Sequence, residues 1–416
     1  MQDLFQKLAQ KKGPLGQFSH FAHENYMFPK LEGDLGTKMT FKGQKIINWS
    51  INNYLGLANH PEVRQADAES AARWGLAYPM GSRMMSGNTD LHDRLEADLS
   101  SFLQKEATVL FNFGYQGIMS AIDALLTRND IVIYDAEAHA CIIDGVRLHL
   151  GKRLVYGHND LVSLEKQLIR ATEMLEDTDG CILVITEGVF GMGGDQGKLK
   201  EIAALKRAYS FRLLVDDAHG FGTMGDTGMG TGEAQGVQHE IDIYFGTFAK
   251  SMASIGGFIC GPKTVIDFLR YNVRSQIFAK SLPMPIVEGN IKRLELLRRC
   301  PELKQKLWDN VIQLQHGLRE RGFNLGATNS PVTPVYLSGS VNEAIMLITE
   351  LRDKYSIFCS AVIYPVIPKG QLLLRLIPTA DHTPDQILHT LQAFSAVAEK
   401  LHSREYDKVK ITEAVA

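Results

Sequence analysis

One lysine, Lys250, lies between two apolar stretches and is a candidate for covalent chemistry. The stretch Ile241–Gly261 (IDIYFGTFAKSMASIGGFICG) begins as a buried strand end and continues with small residues such as Gly256 and Gly257. Small residues let backbone or a flat ligand approach closely. Removing an ammonium group from water is unfavourable unless the group is paired or loses its charge, as it does on forming an imine. The alternative is a lysine with a buried stem whose ammonium group reaches solvent.

An acidic residue and a histidine follow another apolar run. The segment Leu213–Gly222 (LLVDDAHGFG) places Asp216, Asp217 and His219 at the C-terminal end of a predicted buried strand. Open α/β sheets keep their binding sites there. Asp216 can pair with a ring nitrogen and His219 with a phenolic oxygen, and pyridoxal phosphate presents both groups and needs a lysine. The alternative is a metal site or a structural pair, but no other Asp, Cys or His lies nearby at ligand spacing.

Two further segments place candidate ligand-binding residues after predicted strands. In Ala107–Leu126, Gly114 permits a tight turn into a helix whose first N–H groups can bind phosphate, and Tyr115 is a further donor there. In DIVIYDAEAHACIID, a strand ends at Asp135 and His139 opens a helix, where its imidazole can stack on an aromatic cofactor. Both features have structural alternatives, since many α/β turns carry such a glycine and His139 can equally be a capping or core residue.

An arginine of the C-terminal region lies inside an apolar strand. Arg375 belongs to QLLLRLIPTADH, and a buried guanidinium needs a planar anionic partner. The functional interpretation is a two-point clamp on a substrate carboxylate, at about 1.5–3 kcal/mol per charged hydrogen bond. The structural interpretation is an internal Asp or Glu partner. Near the N-terminus, Asn52 and Asn53 are either turn formers or amide donors to a ligand.

The composition is that of an ordinary globular protein and narrows the functional classes. The chain has 416 residues and a net charge of −3 with interspersed signs, so no nucleic-acid footprint is visible. Five cysteines without CxxC spacing indicate a reducing compartment and no disulfide framework. The N-terminal residues lack the apolar core of a signal peptide, and no run of about 18 apolar residues predicts a membrane span. We therefore expect a cytoplasmic protein that would meet a lipid substrate by peripheral membrane contact or on a carrier.

Repeated strand–helix units predict an α/β fold with a mainly parallel sheet and helices on both faces. We expect three regions: an N-terminal arm over 1–45, a large domain over 46–299 and a small α+β C-terminal domain over 300–416. The arm has too few residues for its own core and should pack on the large domain or on a partner subunit. The glycine-laden segment Gly220–Glu233 is expected to be a surface loop at the rim of the site.

Taken together, these segments resemble the α-oxoamine synthase family of pyridoxal-phosphate enzymes, which has fold type I. The resemblance runs from NNYLGL (Asn52–Leu57) to PTADHT (Pro378–Thr383) and includes GSR, NFGYQ, DAEAHACIIDG, TEGVFGMGGD, VDDAHG, TFAKS, SIGGF and LLRLIPTADHT. It is strongest to the family's soluble bacterial serine palmitoyltransferases. The resemblance implies a large domain with a mainly parallel seven-stranded sheet, pyridoxal 5'-phosphate as cofactor, no metal, and a homodimer with the active site at its interface.

The resemblance also implies roles for individual residues. Lys250 would form the Schiff base and exchange the proton at the substrate's α-carbon, and Asp216 would keep the ring nitrogen protonated. His219 would bond the phenolic oxygen, and His139 would stack on the ring. The other cofactor-binding residues that it implies are Gly114, Tyr115, Thr247 and Ser281. The substrate-binding residues that it implies are Arg375, Asn52 and Arg83.

The implied reaction is a decarboxylative condensation of a small L-amino acid with an acyl-CoA, which releases CoA and carbon dioxide. Our first expectation is serine with a long-chain acyl-CoA, giving a 3-keto long-chain base, and cysteate is a close variant of serine. The alternatives are glycine C-acetyltransferase (2-amino-3-ketobutyrate CoA ligase) and 8-amino-7-oxononanoate synthase. A non-catalytic regulatory subunit is a further alternative, which predicts loss of the lysine, whereas Lys250 is present.

Several positions depart from the family pattern. Cys141 stands where serine is usual, and Gly191 and Gly193 of FGMGGD replace a hydroxyl and a carboxylate. Ala249 replaces a hydroxyl residue before the lysine, and Lys280 occupies a turn that usually carries small and hydroxyl residues. These changes leave the implied cofactor residues intact and bear on the substrate. Lys280 would add positive charge near the partner's phosphate or for an anionic substrate such as cysteate.

Overall fold

A computed structural model describes residues 3–11 and 13–406 of the chain. Its strands are short, and those rich in Val, Ile, Leu and Phe are almost wholly buried. The strands are β1 (Leu31–Glu32), β2 (Lys38–Phe41), β3 (Gln44–Asn48), β4 (Ala107–Phe111), β5 (Ile131–Asp135), β6 (Lys152–Tyr156), β7 (Ile182–Glu187), β8 (Arg212–Asp216), β9 (Ile243–Thr247), β10 (Gly257–Gly261), β11 (Thr333–Tyr336), β12 (Ile357–Phe358), β13 (Ser360–Val362) and β14 (Leu373–Leu376).

Several helices begin at polar capping residues. The side chains of Thr89, Ser340 and Thr383 each accept a hydrogen bond from a backbone N–H of the first helical turn. The helices are α1 (Leu4–Gln10), α2 (Gly13–Gly16), α3 (Ser19–Ala22), α4 (Pro61–Trp74), α5 (Asp90–Leu103), α6 (Gly114–Leu125), α7 (Ala140–Leu148), α8 (Leu161–Leu175), α9 (Leu199–Leu205), α10 (Thr231–Ala234), α11 (Lys263–Asn272), α12 (Arg274–Ile277), α13 (Met284–Arg299), α14 (Pro301–Glu320), α15 (Val341–Tyr355) and α16 (Pro384–His402). In the part of the chain that the structure describes, no helix has the length and apolar character needed to cross a membrane.

The larger unit, Asn52–Leu307, is built on a seven-stranded sheet. Its strand order is β4-β10-β9-β8-β7-β5-β6, and β10 pairs antiparallel with both of its neighbours. The remaining pairs, β9-β8, β8-β7, β7-β5 and β5-β6, are parallel. The predicted α/β class with a mainly parallel seven-stranded sheet is confirmed.

Both faces of this sheet are buried, which explains the unbroken apolar runs of its strands. Every residue of β7, β9 and β10 is buried, as expected for strands covered by helices on two sides. The core on one side includes Ile118 and Ile122 of α6, Val146 of α7, and Leu214 and Ile259 of the sheet. This packing fixes the strand ends that carry the polar residues described below.

The smaller unit joins the N-terminal residues up to 51 to the residues from 308 onward. Strand β12 pairs in parallel with β3, with Ile357 opposite Ile47, and β11, β14 and β13 form a separate antiparallel sheet. The sequence predicts instead an arm over 1–45 that packs on the large domain or a partner. The difference arises because the β3–β12 pairing joins segments far apart in the chain, and local sequence patterns do not indicate such a pairing.

The segment Gly220–Glu233 does not form the predicted surface loop. Residues 220–224 and 228–232 are buried. Their anchor is Asp217, which accepts hydrogen bonds from the Thr231 backbone N–H and hydroxyl, both at 2.7 Å. A Cβ at Gly220 or Gly230 would lie 2.0 or 2.1 Å from the Asp217 carboxylate. The glycines therefore serve close packing around a buried acid rather than exposure.

Candidate active site

Neighbouring strands of the seven-stranded sheet end in polar residues at one edge. Glu187 ends β7, Asp216 ends β8 and Thr247 ends β9, and Lys250 follows β9 in a half-buried turn. Because parallel strands bring their carboxyl ends to the same edge, these side chains gather there. The charge of Lys250 acts on three neighbours: it partly offsets the rise that burial causes in the pKa of Asp216 and Glu187, and it adds to the lowering of the pKa of His139 by burial.

Asp216 is a buried acid that a positive group stabilises. It is 3% exposed, and its Oδ1 accepts a hydrogen bond from the Ala218 backbone N–H at 3.0 Å. Burial raises the pKa of Asp216, and the charges of Lys250 and His139 partly offset that rise. A protonated ring nitrogen placed beside Asp216 would complete this compensation.

His219 is held by Tyr54, a residue to which the sequence motifs assigned no role. Its Nδ1 lies 2.8 Å from the Tyr54 hydroxyl, and both residues are buried. A Cβ at Gly191 would come within 2.4 Å of Nε2 of His219, so the absence of a side chain lets this backbone pack closely against the imidazole. The position of Tyr54 within NNYLGL, two residues after Asn52, is the signal that could have identified it.

His139 caps helix α7 and is fixed from two sides. Its backbone N–H donates to Oε1 of Glu187 at 2.6 Å, and its Nδ1 accepts from the Cys141 backbone N–H at 3.3 Å. Partial burial lowers the pKa of His139; Asp216 opposes this effect and Lys250 adds to it. Burial raises the pKa of Glu187 well above its usual value. Glu187 belongs to the motif TEGVFGMGGD, but the sequence does not indicate its contact with His139.

The start of helix α6 offers a narrow cradle of backbone groups. A Cβ at Gly114 would lie 3.1 Å from Oγ1 of Thr247, and a Cβ at Gly257 would lie 2.8 Å from the Gly114 Cα. The Thr247 hydroxyl donates to the Gly256 carbonyl at 2.9 Å. Glycines at this junction thus leave room for an anion at a helix N-terminus, which attracts negative charge.

Like Thr247, two further predicted cofactor-binding residues use their hydroxyl groups elsewhere in this structure. The Tyr115 hydroxyl donates to Oδ2 of Asp144 at 2.5 Å, and this hydrogen bond raises the pKa of Tyr115 to about 12. The backbone N–H and the hydroxyl of Ser281 both donate to the Gly81 carbonyl, at 2.9 and 3.1 Å. Cofactor binding by Tyr115, Thr247 and Ser281 stays a prediction.

Arg83 is engaged with acceptors of its own chain. Its guanidinium donates to Glu96 at 2.8 Å, to Asp93 at 3.2 Å and to Asn88 at 2.5 Å, and the side chain is 12% exposed. These contacts tie the turn before α5 to that helix. The predicted contact of Arg83 with substrate is not among them and stays a prediction.

The two predicted carboxylate-binding residues belong to different units. Asn52 is half-buried at the beginning of the unit that holds Lys250. Arg375 is half-buried in β14 of the smaller unit, where it lies opposite Pro334 and Ser360 in the sheet. Their joint action on one substrate stays a prediction.

A third histidine at this sheet edge, His158, bridges two carboxylates. Its Nδ1 lies 2.9 Å from Oδ1 of Asp135, and its Nε2 lies 2.9 Å from Oδ2 of Asp195 in the FGMGGD segment. Burial opposes protonation of His158, but the hydrogen bonds to Asp135 and Asp195 raise its pKa to about 10. The Asn159 side chain donates to the same Asp195 oxygen at 2.7 Å. This cluster anchors the loop that carries Gly191.

We expect His158→Gln to lower the free energy of unfolding by on the order of 3 kcal/mol at pH 6.5, because it leaves two carboxylates without their cation. The folded-state pKa of His158, about 10, exceeds the ordinary value of 6.5. The stabilisation is therefore fully present below pH 6.5 and is lost as the pH rises through about 10. Urea unfolding of wild type and variant across this range measures it.

The exposed His316 of α14 provides the control, since its partner Glu320 is also exposed. We expect His316→Gln to change stability by less than about 0.5 kcal/mol at any pH. A difference between wild type and His158→Gln that stays constant from pH 6.5 to 10 would contradict the bridging role of His158.

These residues together fit a flat cofactor that carries a phosphate. Lys250 supplies an amine, Asp216 an acid for a ring nitrogen, and the His219–Tyr54 pair a donor for a ring oxygen. Gly114 keeps the start of α6 free of a Cβ, which would lie 3.1 Å from the Thr247 hydroxyl. The donor set is the one that pyridoxal phosphate requires.

Comparison with known proteins agrees with this geometry. Residues 44–394 match the aminotransferase class I and II family, and the chain belongs to that family. It is 62% identical to the cysteate-C-fatty acyltransferase of Capnocytophaga ochracea, over 98% of this chain and 97% of that protein. It is 36% identical to the serine palmitoyltransferase of Sphingobacterium spiritivorum, over 86% of this chain and 88% of that protein.

A solved structure that contains PLP matches almost the whole chain. The high-resolution structure of SPT with a PLP internal aldimine has a TM-score of 0.88 at 29% identity, and the match covers 96% of this chain and 100% of that chain. The predicted resemblance to α-oxoamine synthases and the predicted fold type are confirmed.

Proposed function

We propose that this protein is a pyridoxal-phosphate enzyme that condenses a small, anionic L-amino acid with a long-chain acyl-CoA. The new carbon–carbon bond joins the amino acid's α-carbon to the acyl carbon; the thioester bond breaks to release CoA, and the carboxylate leaves as carbon dioxide. The observation that carries the proposal is the gathering of Lys250, Asp216, His139 and His219 at one sheet edge. The 62% identity to a cysteate-C-fatty acyltransferase supports it.

The cofactor, when bound, supplies an electron sink for the pair of electrons released at the α-carbon. Lys250 holds it covalently and moves the proton at that carbon, because an amine that the nearby carboxylates keep in place can give and take a proton. Asp216 keeps the ring nitrogen protonated by its negative charge. His219, with Tyr54 behind it, orients the ring through the phenolic oxygen, and the start of α6 at Gly114 binds the phosphate.

We infer that cysteate is the amino acid, with serine as the second candidate. The identity to the cysteate enzyme is 62%, against 36% to a serine palmitoyltransferase and 35% to an 8-amino-7-oxononanoate synthase of Thermoanaerobacter pseudethanolicus. Arg375 and Asn52 would hold the carboxylate. Lys280 is exposed and would be available to a sulfonate. With cysteate, the product is a 3-keto base that keeps the sulfonate group.

We further propose a homodimer in the cytoplasm. Hydrogen bonds from Ser281 to the Gly81 carbonyl and from the Asn112 amide to the Lys280 carbonyl bring three segments of the larger unit together. The large apolar side chains exposed on these segments are Met80, Met84, Met85, Phe113 and Phe278. Such a contiguous apolar surface favours burial against a second copy. The five cysteines, all within the described residues, are unpaired, as in a reducing compartment.

An absorbance titration of the cofactor-loaded protein tests the function. We expect cysteate to perturb the cofactor band at concentrations about 10–100 times lower than serine, as one added charge-assisted hydrogen bond would give. Glycine and alanine provide matched controls without a polar side chain. Release of the CoA thiol from palmitoyl-CoA, dependent on the same amino acid, measures the condensation.

Each outcome of this titration is decisive. If serine binds more tightly and turns over faster, the amino acid is serine and the cysteate assignment is wrong. Turnover with glycine and acetyl-CoA alone would identify the glycine C-acetyltransferase reaction. A protein whose cofactor band responds to none of the four amino acids would not be an enzyme of this class.

A further inference from the structure

The thiol of Cys141 lies at the centre of the site, and the proposed function gives it no role. Cys141 is the second residue of α7 and is 3% exposed. Its Sγ lies 2.8 Å from Nδ1 of His139 and 3.9 Å from Oδ2 of Asp216. The side chain therefore touches the histidine predicted to stack on the cofactor and approaches the acid predicted to bind its ring nitrogen.

Two groups of Cys141 converge on the same nitrogen of His139. The Cys141 backbone N–H donates to Nδ1, and a nitrogen that accepts a hydrogen bond carries no proton itself. In the neutral imidazole the proton must then reside on Nε2. Burial raises the pKa of the Cys141 thiol, and the carboxylates of Asp216 and Glu187 add to the rise, so the sulfur keeps its proton and is a donor as well.

The backbone of His139 is held independently of its ring. Its N–H donates to Glu187 at 2.6 Å, and the ring of Tyr115 meets the imidazole edge-on with centroids 6.1 Å apart. With the backbone fixed, the ring retains mainly rotation about its side-chain bonds. Cys141 restricts this rotation, because turning the ring would break the contact at Nδ1.

We propose that Cys141 is a positioning residue that holds His139 with Nδ1 unprotonated and with the proton on Nε2. The inference rests on the proposed function, because the Nε2–H group would donate a hydrogen bond to an oxygen of the bound substrate. The thiol fulfils this role without ionising, and it leaves the negative charge of Asp216 for the cofactor's ring nitrogen. Neutral His139 thus acts as a fixed hydrogen-bond donor.

The ring protonation can be observed directly by ¹⁵N NMR of protein labelled on its histidines. The chain has 13 histidines, and the His139 signals are those that His139→Asn removes. We expect an unprotonated Nδ1 and a protonated Nε2 in wild type at pH 7.5, with and without cofactor. We expect the same pattern in Cys141→Ser. In Cys141→Ala the backbone N–H still donates to Nδ1 at 3.3 Å, but the thiol contact is lost, so we expect a partial shift of Nδ1 towards the protonated form.

Kinetics provide the second readout. Cys141→Ala should lower kcat about three- to tenfold, the value of one lost hydrogen bond, with the cofactor absorbance band and the KM for acyl-CoA unchanged. Cys141→Ser keeps a donor at this position and should stay within about twofold of wild type. A purely structural role would instead lower the melting temperature of both variants together with their cofactor content.

The results separate this inference from the proposed function. A wild-type spectrum with the proton on Nδ1 overturns the inference, whatever the variants do. An alanine variant with the wild-type NMR pattern and kcat overturns it as well. If the protein fails to condense any amino acid while His139 shows the expected nitrogens, the proposed function fails and the positioning by Cys141 stands.

Discussion

Replacing Lys250 with alanine should reduce turnover by about 10³-fold or more, the scale of a lost acid–base group that also anchors the cofactor. The protein should lose the yellow absorbance band of the lysine-bound cofactor. The reason is the position of Lys250 in the turn after β9, where its charge interacts with Asp216, Glu187 and His139.

Absorbance of the cofactor and the rate of CoA release measure this result. Lys263→Ala is the matched control, because Lys263 is an exposed lysine paired with Asp267 on α11, which follows β10 at the end of that strand opposite to Thr247. The control should keep both band and turnover. A Lys250→Ala protein that regains the band on simple addition of cofactor would contradict the covalent role of Lys250.

Many helices and strands of the larger unit could be predicted, because a local sequence pattern defines each of them. The leucines of Asp90–Leu103 recur at helical spacing, and the structure shows a helix with those bounds. Likewise, the apolar run before Asp216 is a buried strand that ends at that acid. In both, a single segment contains the periodicity and the terminating residue that define the element.

What sequence reasoning missed depends on contacts between distant segments. Tyr54 behind His219, Glu187 on the backbone of His139, and His158 between two acids are all joined through space. Strand β12 likewise pairs with β3, which is distant from it in the chain. A side chain's partners depend on the packing of whole elements, so residue type and spacing restrict the choice of partner without deciding it.

The adjacent acids Asp216 and Asp217 at the sheet edge have different hydrogen-bond partners. Asp217 is satisfied by Thr231 and Tyr244 and fixes the following loop. Asp216, its neighbour in the chain, accepts a hydrogen bond from the Ala218 backbone N–H, lies 3.9 Å from the Cys141 thiol and faces the charge of Lys250. Alternation along a strand end sends adjacent carboxylates to opposite sides, so Asp217 supports the fold while Asp216 is left for the proposed contact with the cofactor.

Asp216→Asn should therefore separate activity from stability. We expect kcat to fall at least about 10²-fold, because an amide cannot keep a ring nitrogen protonated by its charge. The pKa of Asp216 is raised by burial, so the folded protein without cofactor disfavours its charged form, and this penalty grows as the pH rises above the ordinary value of 3.8. The cofactor-free variant should accordingly be as stable as wild type at neutral pH, or more stable.

Asp217→Asn gives the opposite pattern and so provides the matched control. Its amide would face the Thr231 N–H and the Thr231 and Tyr244 hydroxyls, and the lost acceptor should cost about 1–3 kcal/mol in the free energy of unfolding. Cofactor absorbance, kcat and urea unfolding of both variants measure the contrast. Equal loss of activity in the two variants, or marked destabilisation by Asp216→Asn, would show that Asp216 is a structural acid like its neighbour.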